Sequence, residues 1–275
     1  MAIVGVGLIG GSIGLALLER GLARNVIGVG RNPRNLRIAH NLGAVTATTD
    51  SLQQAVAGAD LAIVCTPVER IVEHVLAAVA ANPGRTLVTD VGSTKAEIVS
   101  QLDAQLGPGA RFVGSHPLAG SEKSGAATAK ADLFEGRVVV VTPSAKTAPA
   151  DLEEISNLWT AVRARVVEMP AEEHDRAVAA TSHLPHFVAS ALAAATPKDY
   201  LALAAAGWLD TTRVAAGDAD LWTQIFTTNR RNTLAALDRF ESLLASFRAS
   251  LEDADAEQLH RYLQEAKNHR DSVGS

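Results

Sequence analysis

Three histidines, two serines and an arginine occupy positions in this sequence where acid–base and anion-binding chemistry is open to them. His116 follows a short β-branched run that ends at Gly114. An imidazole with an ordinary pKa of about 6.5 accepts a proton at neutral pH, the requirement for a general base. Ser93 closes another such run, in Asp90-Val91-Gly92-Ser93-Thr94-Lys95. Ser182-His183-Leu184-Pro185-His186 places two imidazoles three apart on a helix, either as a metal pair or with one satisfying a buried hydrogen bond. Two ligands without a nearby carboxylate or thiolate make a poor metal site, so no metal is expected. Arg213, in Asp210-Thr211-Thr212-Arg213, precedes Asp218 and Trp222 and is either a solvated cation or a carboxylate clamp.

The elements that must position these groups come in two kinds. β-branched runs at residues 2–6, 26–29, 61–65, 86–91, 111–114 and 137–142 alternate with amphipathic pieces such as 71–81 and 95–106. Such alternation builds right-handed βαβ units and a parallel sheet with ligands at the carboxyl ends of its strands. A helix at 150–162 and a run at 164–167 lead to Pro170, after which strand-like runs vanish. The expected fold is therefore α/β: a Rossmann-type, mostly parallel sheet over residues 1–169, then an all-helical domain over 170–275. Leu234, Leu237, Phe240, Leu243, Leu244, Phe247 and Leu251 recur at spacings of three and four, one stripe along a long helix. That stripe packs either on a second copy, making a homodimer, or into a core of its own chain.

Gly5-Val6-Gly7-Leu8-Ile9-Gly10 follows the first run directly and opens a helix. In that setting the first glycine makes the tight turn and the second lets backbone approach a pyrophosphate. The third packs helix on sheet, and the helix N-terminus faces the phosphates. Gly5, Gly7, Leu8, Ile9 and Gly10 are thus candidate dinucleotide contacts, with Thr66 and Pro67 at the end of the 61–65 run. The second strand should end in an acid for the adenosine ribose, but the chain reads Val29-Gly30-Arg31-Asn32. A guanidinium pairs with a 2′-phosphate that a carboxylate would repel, so Arg31 and Asn32 favour NADP over NAD. A merely solvated Arg31 would leave NAD usable.

Composition excludes other classes. A net charge of -5 argues against nucleic acid as a partner, and one cysteine excludes an internal disulfide. Cys65, inside an apolar run, reads as core. With 47% hydrophobic and 20% charged residues in a chain of 275, a sizeable core over two domains is expected. Residues 2–18 contain Gly7-x-x-x-Gly11, a membrane-helix pattern, but four glycines from Gly5 to Gly11 interrupt them and no basic region precedes them. No membrane partner and a cytoplasmic location are expected. The last helical segment ends near His269, and no added regulatory domain is expected.

The ordered set Gly-x-Gly-Leu-Ile-Gly-Gly-Ser (5–12), Asp-Val-Gly-Ser-x-Lys (90–95), His-Pro-Leu-Ala-Gly-Ser-Glu-Lys-Ser-Gly (116–125), Ser-His-Leu-Pro-His (182–186) and Thr-Arg (212–213) with Trp222 resembles the prephenate/arogenate dehydrogenase family of tyrosine biosynthesis. The chain departs from the family at Gly207, a lone glycine where a cluster is common, and at Ala219, where a proline is. The resemblance implies an oxidoreductase that carries out NAD(P)-dependent oxidative decarboxylation of prephenate to 4-hydroxyphenylpyruvate, or of arogenate to tyrosine. It implies His116 as the base, Ser93 orienting His116 and the substrate hydroxyl, and Arg213 holding a carboxylate. Ser121, Ser182 and His186 would line the substrate pocket, Trp222 would wall it and Glu122 would gate it. These residues come from both halves, so the site is expected in the cleft between them. The Glu122-Lys123-Ser124 stretch looks more like prephenate-using members. The alternatives are another Rossmann-plus-helical dehydrogenase, of the β-hydroxyacid or pyrroline-carboxylate type, or a non-catalytic dinucleotide sensor. A β-hydroxyacid enzyme relies on a lysine in the first helix after the sheet, and residues 171–195 contain none.

Overall fold

The structure, a computed structural model, describes residues 1–120 and 125–274. Eight strands are formed: β1 (Ala2–Val4), β2 (Ile27–Val29), β3 (Ala47–Thr49), β4 (Leu61–Val64), β5 (Leu87–Asp90), β6 (Phe112–Pro117), β7 (Val138–Thr142) and β8 (Arg165–Glu168). They make one sheet in the order β3-β2-β1-β4-β5-β6-β7-β8, parallel except where β6 meets β7. The helices that connect them are α1 (Leu8–Glu19), α2 (Pro33–Asn41), α3 (Leu52–Val56), α4 (Val68–Ala81), α5 (Ala96–Gln105) and α6 (Pro149–Ala161). Beyond the sheet follow α7 (Ala171–Val178), α8 (Leu184–Ala195), α9 (Ala206–Thr212), α10 (Ala219–Thr228), α11 (Arg230–Glu252) and α12 (Ala256–Ser272).

Both faces of the sheet are covered, as a parallel sheet requires. Ile3 of β1 joins Ile13 and Leu17 of α1 and Ile155 and Trp159 of α6 on one face. Its neighbours Ala2 and Val4 point the other way, toward Ile71 and Val75 of α4 and Ile98 and Leu102 of α5. That is the two-residue alternation of a strand feeding two cores. The edge strand β3 has no counterpart among the apolar runs. Its Ala-Thr-Thr is short and mostly exposed, so no hydrophobic run marks it.

β6 outruns its β-branched stretch. Parallel pairing with β5 ends at Val113, and antiparallel pairing with β7 then carries the strand on, with His116 opposite Val140 and Pro117 opposite Val139.

Pro170 starts α7, and the compact unit that holds the sheet runs on through α10 to Asn229. Residues 230–275 form a second compact unit, the helices α11 and α12. In it Leu234, Leu243, Leu244, Leu251 and Leu263 are exposed, while Phe247 and Tyr262 meet at 5.1 Å between ring centroids. Among the described residues no helix is long and apolar enough to cross a membrane.

Candidate active site

The glycine loop connects β1 to α1 and lines a cavity of about 690 Å³ at the carboxyl ends of β1, β2 and β4. This is where the strand order reverses, the place where open α/β sheets bind ligands. Gly5 has φ +97°, and a Cβ there would lie 2.6 Å from the Cys65 carbonyl oxygen. Any side chain would therefore break both the turn and the β1–β4 contact. A Cβ on Gly7 would meet no atom of the described residues within 4 Å, which leaves open space beside the N-terminus of α1. A Cβ on Gly10 would run into the Gly5 carbonyl and Ile3, so the third glycine sets the helix against the strand. These three roles fit a pyrophosphate, and the cradle fits a dinucleotide.

Gly5, Gly7, Arg31, Asn32, Thr66 and Pro67 line this cavity. Leu8, Ile9 and Gly10 do not: they form the first turn of α1, where Ile9 packs on the core. The Asn32 carboxamide caps α2 by accepting from the Arg34 and Asn35 amides, 2.9 and 3.4 Å away. Two further residues from α4, Arg70 and His74, face the same cavity. Burial and the two guanidiniums of Arg70 and Arg31 lower the pKa of His74, and Thr66 Oγ1 lies 3.0 Å from its Nδ1. The adenosine end is thus a basic patch with a neutral histidine, although Asp50 also lines it. Burial and Asp90 push the Cys65 thiol far above its ordinary value, so it stays protonated and unreactive.

Further along the same sheet edge lies a second group of polar residues, at the ends of β5 and β6. His116 is partly exposed, and its Nδ1 is 2.8 Å from Nε2 of His174, a fully buried residue of α7. His174 Nδ1 is in turn 2.8 Å from Asp175 Oδ1. Asp175 accepts the backbone N–H groups of Lys95, at 2.8 Å, and Ala96, at 3.0 Å. A carboxylate from α7 thereby caps the N-terminus of α5, where the free amides and the helix dipole favour an anion. Lys95 and Asp90 are both fully buried and form an ion pair beneath this group. Asp90 also accepts from the Gly92 amide at 2.8 Å and the Ser115 amide at 3.3 Å. Burial, then the nearby His174, Lys95 and His183, push the His116 pKa well below its usual value. A neutral imidazole is the form that can take up a proton.

Ser93 lies two residues before Lys95 and makes no hydrogen bond among the described residues; the partner that orients His116 is His174. Ser182 and His183 sit on a π-helical turn, Ala179–His183, between α7 and α8. Pro185 lacks the N–H that would bond the Thr181 carbonyl and its ring crowds that oxygen, so the helix widens there. His183 satisfies a buried hydrogen bond: Asn229 Nδ2 lies 3.2 Å from its Nδ1, and burial lowers its pKa to about 4. His186 stacks on Trp222 at 3.5 Å between centroids and 14° between planes. Among the described residues its buried Nδ1 has no hydrogen-bond partner. Gly217 fits against this stack; a Cβ there would lie 2.7 Å from Trp222 Nε1.

Arg213, exposed on a 3-10 turn (Arg213–Ala216) packed on α8, lines a polar cavity of about 500 Å³ with Leu118, Gly120, Lys130 and Arg137. That cavity adjoins the chain just after His116-Pro117. Ser121 and Glu122 lie outside the described residues. Sequence reading missed His174, Asp175 and the Lys95–Asp90 pair. The adjacent His174-Asp175 in the first helix after the sheet was the available signal.

A family model described as "Prephenate dehydrogenase, nucleotide-binding domain" matches residues 13–168, and one described as "Prephenate dehydrogenase, dimerization domain" matches residues 170–265. The chain belongs to the prephenate dehydrogenase family. Within that family it is 36% identical to a prephenate dehydrogenase of Bacillus subtilis over 280 residues, 98% of this chain and 75% of the relative. A crystal structure of prephenate dehydrogenase from A. aeolicus, in complex with hydroxyphenyl propionate and NAD+, superposes with a TM-score of 0.92. It is 34% identical, with coverage of 99% of this chain and 97% of that one. A Synechocystis arogenate dehydrogenase structure reaches a TM-score of 0.82 at 31% identity, covering 99% of each chain. This prephenate dehydrogenase homologue is thus an oxidoreductase with a nucleotide-binding Rossmann domain.

Proposed function

We propose that the chain catalyses the oxidative decarboxylation of prephenate to 4-hydroxyphenylpyruvate, with NADP preferred over NAD and arogenate as the lesser substrate. The observation that carries this reading is His116: neutral, held through Nδ1, and partly exposed on the sheet edge that also bears the glycine cradle. Gly5, Gly7, Arg31, Asn32, Thr66 and Pro67 would hold a nicotinamide dinucleotide, which would supply the acceptor for the hydride on ring carbon C4. His116 Nε2 takes the C4 hydroxyl proton as the C–O bond becomes a carbonyl. The carbonyl is conjugated to C1, so the electron pair of the C1–carboxylate bond enters the ring as carbon dioxide leaves. Aromatisation drives that cleavage, and the resulting phenolate oxygen takes back the proton from His116. The imidazole ends as it began.

Ser93 would orient the same hydroxyl, and His186 Nδ1, which has no partner among the described residues, offers with Ser182 a partner to a polar group on the substrate. Trp222 fixes the plane of His186 by stacking. Arg213 is the cation for a substrate carboxylate, and Ser121 and Glu122, which follow Gly120 of its cavity in sequence, would line and gate the substrate pocket. We place the division between cofactor-binding and substrate-binding segments at Pro170. We also propose a homodimer through α11 and α12, supported by their exposed leucines and by the printed description of the matching family model.

Turnover of prephenate and arogenate, each with NADP and with NAD, tests the reading through formation of reduced nicotinamide and carbon dioxide. Prephenate with NADP should show the highest kcat/KM. No turnover of either substrate would overturn the function. Two variants probe the binding ends. Arg31→Ala should lower kcat/KM for NADP about 10- to 100-fold, the worth of a hydrogen bond to a charged group, and leave that for NAD within about twofold. An unchanged ratio would refute the Arg31 assignment. Arg213→Ala should raise the substrate KM by a similar factor with kcat little altered, since a bond made equally in ground and transition states affects binding alone. A normal KM would remove Arg213 from the site.

A further inference from the structure

Three N–H groups converge on one carboxylate at the base of the His116 chain, and their directions determine where every proton in that chain sits. Asp175 Oδ1 already accepts the Lys95 amide, and Oδ2 accepts the Ala96 amide. As a carboxylate it has no proton to give, so the 2.8 Å contact with His174 is a donation from His174 Nδ1–H. A neutral imidazole carries one N–H, so His174 Nε2 is a bare acceptor. The 2.8 Å contact between His116 Nδ1 and His174 Nε2 must then be a donation from His116. That leaves the lone pair of His116 on Nε2.

We propose that His174 is a positioning residue that locks His116 in its Nδ1–H tautomer, with Asp175 setting the direction of the chain from the N-terminus of α5. The proposal deepens the reading of His116 as the base and rests on it. Without the relay, a neutral imidazole in water divides its proton between the two nitrogens, and the ring turns about its side-chain bonds. With it, one nitrogen is fixed as donor and the other is presented bare in a fixed direction, as second-shell hydrogen bonds do for functional histidines. His174 and Asp175 are both fully buried, so water does not compete for these bonds.

The charged and titratable groups around His116 all favour this arrangement. Lys95 and Asp90 face it from the β5–α5 connection, His174 and Asp175 from α7, and His183 from the π turn. The Lys95 ammonium, paired with Asp90, disfavours a positive charge on His116. Protonating His174 would make its Nε2 a donor to His116 Nδ1. His116 would then hold its own proton on Nε2, where it is useless as a base.

Long-range ¹H–¹⁵N correlation spectra of the wild-type histidine side chains read the tautomers directly, with His116 assigned by its loss in His116→Asn. The expected result is protonation of His116 on Nδ1 with a bare Nε2, and the same pattern for His174. A His116 proton on Nε2 would overturn the proposal. This readout needs no substrate, so it stands or falls separately from the prephenate reading. Kinetics supply a second test. His174→Phe should cut kcat about 10- to 100-fold with the KM for prephenate and the Kd for NADP within about twofold, and His174→Gln, which keeps an acceptor, should recover most of it. Equal losses in both variants, or normal kcat in His174→Phe, would overturn the positioning role.

Discussion

His116→Asn should lower kcat about 10²–10⁴-fold, the usual contribution of a positioned general base, and leave the KM for prephenate nearly unchanged. Asparagine keeps a polar group at the position and takes away the titratable nitrogen, so the loss reports proton transfer more than packing. The pH profile of the parent enzyme carries the same information. Burial and the neighbouring His174 and Lys95 hold the His116 pKa below its usual value. The base therefore stays neutral as pH falls through about 6.5, the ordinary histidine pKa. kcat should accordingly hold level down to that pH and drop only below it, as His116 gains its proton. The His116→Asn variant should lose that acid limb. Near-normal turnover in the variant, or an acid limb centred above about 6.5, would show that another group accepts the proton.

The second large effect falls on stability. Lys95→Met should destabilise the fold by about 3–5 kcal/mol, because it strips the counter-charge from a carboxylate held out of water. Lys95 and Asp90 are both fully buried, and burial pulls the ammonium below its ordinary pKa while Asp90 and then Asp175 hold it up. Asp90 thus favours the charged form of the buried ammonium. In a chain of this size the loss corresponds to a fall in Tm of roughly 10 °C. The double variant Lys95→Met with Asp90→Asn should recover part of it, since it leaves no lone charge behind, although the single amide oxygen can accept from Gly92 or from Ser115 and not from both. Thermal unfolding of the three proteins tests this. A Tm within about 2 °C of the parent for Lys95→Met would mean that the pair contributes little. Such a sequestered pair, directly beneath His116, also places a fixed positive group near the base, so the double variant should shift the acid limb of kcat upward.

Much of the architecture was legible because its signals are local. Each strand with an apolar run, from Ala2–Val4 to Arg165–Glu168, was marked by β-branched residues that a two-faced parallel sheet demands. The glycine loop was legible for the same reason: its three glycines answer to contacts within a single strand–turn–helix unit. β3 was not, since an exposed three-residue edge strand needs no hydrophobic pattern. The extension of β6 through His116 was also hidden. It depends on antiparallel pairing with β7, more than twenty residues later, and periodicity within β6 says nothing of it.

The order of residues alone was enough for the kind of protein: a dinucleotide cradle, an alternating sheet and a set of segments specific enough to name a family. It also determined which imidazole stands at a strand end. What holds that imidazole emerges from the folded chain alone. His174 and Asp175 lie 58 and 59 residues beyond His116 and reach it because α7 packs on α5 and caps its N-terminus. The same packing sorted the two helical histidines, tying His183 to Asn229 and stacking His186 on Trp222. The physical reason is that hydrogen-bond direction and burial are properties of groups brought together from distant parts of the chain. A residue's type states which bonds it can make, and only its neighbours in space select among them.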